Sequence, residues 1–124
     1  MYVIMLKGTN KTNVEKVEVA EKELSLKTMR ELIGCQWIET VLIKDVFLVF
    51  DEEYLLTHSK PLPNFLPSLL HAEYRNGSPI CGNVLLCKEE DGEMLAVEEE
   101  YADVMVAQLN ALQEVYLRNQ RQYN

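Results

Sequence analysis

The chain has no apolar run approaching the ~20 residues that span a bilayer, and Met1 to Lys7 is too short for a signal peptide. That pattern reads as a protein that meets no membrane and is not exported. There are five glycines, all scattered, so neither of the glycine-rich loops that cradle phosphate with bare backbone occurs. The three cysteines, Cys35, Cys81 and Cys87, are odd in number and lack C-x-x-C spacing. Free thiols in a reducing compartment are the expectation, since a Cys81–Cys87 bridge requires the strand between them to bend sharply. The two histidines, His58 and His71, stand in unlike segments; zinc would have to gather Cys35, Cys81, Cys87 and a histidine from separate places. No nucleophile, base and oxyanion donor fall together either. The expectation is a non-enzymatic protein with no metal and no cofactor.

What is present is enough apolar mass for one folded unit. With 124 residues, 48% hydrophobic and 26% charged, the chain reads as a single domain over 1–124 that needs no staple. Its charge is unevenly placed. Glu89, Glu90, Asp91, Glu93, Glu98, Glu99, Glu100 and Asp103 fall in one window without a lysine or arginine. Removing these eight leaves twelve acids against twelve bases, so this window carries the whole net charge of −8. Such a field disfavours nucleic acid and favours a basic partner.

The local patterns describe an α+β fold. Tyr2 to Lys7 and Val14 to Ala20 read as an opening hairpin around Gly8 and Asn10. Ser25 caps a helix over 26–33 that Gly34 ends. Trp37–Ile43 and Val46–Phe50 form a second hairpin, its register left open by the unusual Lys44-Asp45 turn. Pro61, Pro63 and Pro67 break the pattern from Asp51 onward, and a short helix follows from Pro67 to Tyr74. Ile80 to Lys88 is a strand that Asp91-Gly92 folds back onto Met94–Val97. A long helix over about 98–121 closes the chain, with Tyr101, Val104, Met105, Leu109, Leu112, Val115 and Tyr116 as its apolar face and Arg118 and Arg121 at its negative end. The architecture expected is a mostly antiparallel sheet of hairpins over about 1–97, carrying one short and one long C-terminal helix.

The order Leu32-Ile33-Gly34-Cys35-Gln36-Trp37-Ile38-Glu39, Val49-Phe50-Asp51-Glu52-Glu53, Pro61-Leu62-Pro63-Asn64 and Ile80-Cys81-Gly82-Asn83-Val84-Leu85 resembles a small uncharacterised domain family. That family occurs in phages, plasmids and integrated bacterial elements. Its pattern is a helix ending in Gly-Gly, an Ile-Glu strand, an Asn-Glu pair, a Leu-Pro-x-Asn loop and an Ile-x-Gly strand. Cys35 stands where the second glycine is usual, and Asp51 where an asparagine is usual. The resemblance implies a mobile-element setting and no particular chemistry.

Two readings of function follow. In the first, the acidic window binds and blocks a host protein with a basic surface, such as a nucleic-acid-binding defence nuclease, in the bacterial cytoplasm. Tyr101, Met105 or Tyr116 anchors that anti-defence contact (anti-CRISPR or anti-restriction in type), and surplus apolar surface on the last helix pairs copies of the chain. In the second, the long loop Asp51–Asn64 forms a pocket for a small ligand such as a cyclic-nucleotide signal, built from Trp37, Glu52, Glu53, Tyr54, His58 and Asn64.

Overall fold

Val3, Ile4, Met5 and Leu6 leave a strand with no polar face, so it must be covered on both sides. The computed structural model, which describes residues 1–123 and side chains as far as Asn119, buries all four. This strand, β1 (Tyr2–Gly8), lies inside a six-stranded sheet ordered β2-β1-β5-β4-β3, with β6 also paired to β5. The others are β2 (Thr12–Glu18), β3 (Ile38–Ile43), β4 (Val46–Asp51), β5 (Val84–Glu90) and β6 (Glu93–Leu95). Every pairing is antiparallel, and the pairs β1–β2, β3–β4 and β5–β6 are joined by hairpins.

The helices are α1 (Leu26–Ile33), α2 (Tyr54–Thr57), α3 (Phe65–Arg75) and α4 (Glu99–Tyr123). Alternate residues of the sheet divide between two apolar layers. Val3, Met5, Val49, Leu85 and Cys87 meet Met29 and Ile33 of α1 on one face. Ile4, Leu6, Leu48, Val84 and Leu86 meet Leu66 and Leu70 of α3 and Ala102 and Met105 of α4 on the other.

The caps of α1 are as expected: Ser25 accepts the Thr28 N–H, and Gly34 ends the helix in the left-handed region at φ 83°. The second hairpin turns at Lys44-Asp45 as expected, and its register, left open by the sequence, is set with Lys44 at φ 57° and Ile43 opposite Val46. Three other features differ. β5 starts at Val84, because Gly82 turns at φ 84° and sends Ile80 and Cys81 away to pair with Pro63 and Asn64. The loop after Asp51 contains the single turn α2, a short helix added to the two read over 26–33 and 67–74. Finally α3 begins at Phe65, two residues before Pro67, whose missing N–H falls in the first turn where helix donors lack internal partners.

The apolar face of α4 also differs from the expected one. Val104 and Val115 point outward, while Ala102, Met105 and Gln113 are buried and Val106, Leu109 and Leu112 are half-buried. Arg121 lies outside the residues whose side chains are described.

A buried polar clasp ties α3 and α4 to the first hairpin. The Gln113 amide bonds both sides of the Thr12 peptide, accepting its N–H at 2.7 Å and donating to its carbonyl at 2.8 Å. The Thr12 hydroxyl donates to Asn64 Oδ1 at 2.6 Å and accepts the Leu66 N–H at 2.8 Å, which caps α3 from outside. Asn64 Nδ2 donates to the carbonyls of Leu6 and Gly82 at 3.0 and 2.9 Å. Buried polar groups are tolerated when fully bonded in this way.

Candidate functional site

Two places hold the residues singled out in the sequence. The first is the acidic corner. Asp91 and Gly92, at φ 52° and 81°, form the tight turn between β5 and β6, and the Gly92 N–H bonds Glu89 Oε1 at 2.9 Å. Glu90, Asp91 and Glu93 are exposed on this hairpin tip, and Glu89 is half-buried. Glu98, Glu99, Glu100 and Asp103 are exposed at the start of α4, where carboxylates suit the positive end of the helix. Glu90 and Glu98 line one shallow depression, joining the two groups.

The carboxylates are partly answered by the chain itself. Lys16 on β2 bonds Glu99 at 2.8 Å and Asp103 at 2.7 Å. Its hydrogen bond holds the Glu99 carboxyl below the usual carboxylate range. Donating to Asp103 and Glu99 in turn holds the Lys16 ammonium above its usual range. The other six have no ion-pair partner among the described residues, although Lys22 and Lys88 share the depression with Glu90 and Glu98.

Beside this corner lies an apolar cleft of about 300 Å³ between α3 and α4. Leu70 and Tyr74 form one wall, Tyr101, Met105 and Leu109 the other, with Leu86 in the floor. Tyr101 lines both the cleft and the acidic depression, with the Lys88 ammonium 5.3 Å from its ring centre. Tyr116 lies further along the same seam, with Leu69, Leu70 and Tyr74.

The second place is a polar hollow of about 260 Å³ at the opposite end of β5. It forms where three distant segments converge: Ile33 and Gly34 at the end of α1, Asp51 with Tyr54 and His58 around α2, and Gly82 with Asn83 before β5. The Tyr54 and His58 rings stack 3.7 Å apart and 8° from parallel. A Cβ on Gly82 would stand 2.6 Å from the Tyr54 ring, so only glycine fits there. Asp51 Oδ1 accepts the Glu53 N–H at 2.9 Å, which fixes the carboxylate in place.

Of the pocket residues named from sequence, Tyr54 and His58 line this hollow. Trp37 stands outside its lining, more than half exposed, with the Arg30 guanidinium 6.0 Å from its ring centre. Glu52 and Glu53 do not line it. Asn64 is a correction: it is wholly buried and its amide is spent in the clasp, so it supports Gly82 from beneath and offers nothing to a ligand. Gly34, Asp51, Gly82 and Asn83 also line the hollow and were not among the residues expected there. Their signal was nonetheless present, since they stand in the very segments that carry the family resemblance.

The thiols are set back from chemistry. Burial pushes Cys87 up to about 12 and raises Cys81, and burial together with the Asp51 charge raises Cys35. None of the three is bridged.

Residues 1–110 match a family described as a domain of unknown function, DUF3846. The chain belongs to that family. The DUF3846 domain takes in the whole sheet, α1 to α3 and the first part of α4, and therefore both the acidic corner and the hollow. No curated protein and no solved structure matches the chain. No helix among the described residues of this DUF3846 protein is long and apolar enough to cross a membrane.

Proposed function

We propose that the protein is a non-enzymatic accessory protein of a phage or other mobile element. It binds a host protein with a basic, apolar-studded surface, such as a nucleic-acid-binding defence nuclease in the bacterial cytoplasm, and blocks it. The observation that carries this reading is the position of Tyr101, shared between an open apolar cleft and a depression lined by Glu90 and Glu98. Interfaces commonly combine an apolar centre with a charged rim, and tyrosine is enriched among the residues that dominate binding. Six carboxylates of this corner without an ion-pair partner among the described residues, with Glu90 and Glu98 beside Tyr101, would speed encounter with a basic surface and set its orientation. Val104 and Val115, both exposed on α4, add apolar area by which two copies could also associate.

The test uses purified restriction and CRISPR nucleases, with inhibition measured against this protein and its variants. Glu93, Glu98 and Glu100 are reversed to lysine together, leaving Glu99 and Asp103 on Lys16. Tyr101→Ala is made separately and is expected to weaken inhibition by about 2 kcal/mol, roughly 30-fold. Inhibition unchanged by both variants, or no inhibition of any nuclease, overturns the reading.

A further inference from the structure

We propose that the polar hollow beside α2 is a binding site for a small organic cation, an ammonium or guanidinium group on a compact molecule. This site is separate from the acidic corner and stands on different observations.

The lining is negative from two directions. Asp51 supplies a full charge, and since Oδ1 is engaged by the Glu53 N–H, Oδ2 is left for a ligand donor. The helix α1 ends at the rim, and Ile33 and Gly34 bring its carbonyl-bearing end to the hollow. Carbonyls at a helix C-terminus carry partial negative charge and favour cations. Gly34 has nothing within 4 Å of where a Cβ would stand, so that end is open. His58 Nδ1 lies 3.0 Å from the Tyr54 carbonyl and 2.9 Å from the Thr57 hydroxyl, contacts that hold the ring against Tyr54. Asn83 completes the lining with a polar, uncharged side chain.

Among the described residues no lysine or arginine lines the hollow, and the Arg30 guanidinium is turned over Trp37. A cyclic nucleotide would bring its phosphate to Asp51 with no counter-charge, so the lining selects against the nucleotide expected from the loop and for the opposite sign of ligand. The Asp51 charge is felt nearby, for it helps raise the Cys35 thiol. Gly82 is anchored by the Asn64 amide and lies against the Tyr54 ring, and anchored support of this kind lets a few polar groups discriminate.

The experiment titrates the full chain, labelled with nitrogen-15, with n-butylguanidinium, butylammonium, the neutral isostere N-butylurea and cyclic AMP. Saturable shifts at the amides of Gly34, Glu53, Gly82 and Asn83 with butylguanidinium, at least tenfold tighter than N-butylurea, are expected. Asp51→Asn keeps an oxygen for the Glu53 N–H and should abolish that tenfold preference. Asn83→Lys, which places a cation in the lining, should abolish cation binding if Asp51→Asn disturbs the fold. Equal affinity for the urea and the guanidinium, shifts that map elsewhere, a preference for cyclic AMP, or no shifts at all overturns the proposal.

Discussion

Replacing Asn64 with alanine tests how much of the fold rests on the buried clasp. The substitution removes two donated bonds, to Leu6 and Gly82, and one accepted from Thr12. At about 1 kcal/mol for each bond, with an added penalty because the abandoned carbonyls and hydroxyl stay buried, the loss comes to about 3–4 kcal/mol. For a chain of this length that lowers Tm by roughly 10–15 °C. Urea unfolding followed by far-ultraviolet circular dichroism measures it, the slope showing whether the transition stays two-state. Asn64→Asp keeps the shape but turns both donors into acceptors, so it should cost at least as much. Pairing Asn64→Ala with Thr12→Val should give strongly non-additive losses, because the two residues share one network. A loss below about 1 kcal/mol for Asn64→Ala would refute the reasoning, since the residue would then be neither buried nor bonded as described.

Gly82→Ala is expected to destabilise by about 1–3 kcal/mol, because it combines a positive φ with a clash against Tyr54; an unchanged Tm and unmoved Tyr54 ring resonances would contradict this. Native protein treated with a thiol reagent near neutral pH should label Cys35 first, with Cys87 reacting only on unfolding, and rapid labelling of Cys87 would show that it is not held protonated by burial. Lys16→Met should move acid unfolding to higher pH. The Glu99 carboxyl is lowered chiefly by its Lys16 hydrogen bond, so its stabilisation is present above the ordinary carboxylate range and fades as pH falls through the lowered value. An unchanged acid midpoint would count against the pair.

The parts of the fold that depend on near neighbours were legible. Ser25 and Gly34 bracket α1 through contacts within a single turn, and Asp91-Gly92 carries its own turn chemistry. Lys44 was not legible, since a lysine forced to positive φ is chosen by the pairing of Ile43 with Val46 and not by its own preference. Gly82 sat inside an apolar run, and only its packing under Tyr54 marks it as the break before β5. The face of α4 was misread through Val104 and Val115 because apolar character alone does not say which stripe meets the sheet. Gln113 is the clearest case: its burial requires Thr12, 101 residues away. Asn64 misled for the same reason, a polar residue among prolines looking exposed when its partners are distant in sequence. The hollow was half visible, because Tyr54 and His58 share a segment while Gly34 and Gly82 reach it only through the folded sheet.

The most direct measurement of the protein-binding reading is the salt dependence of affinity for an inhibited nuclease, taken by calorimetry from low to high salt. Six carboxylates of the acidic corner without an ion-pair partner among the described residues predict a dissociation constant that rises steeply with salt, and a slope that flattens when Glu93, Glu98 and Glu100 become lysine. Tight binding with a flat salt response in the unmodified protein would contradict the account.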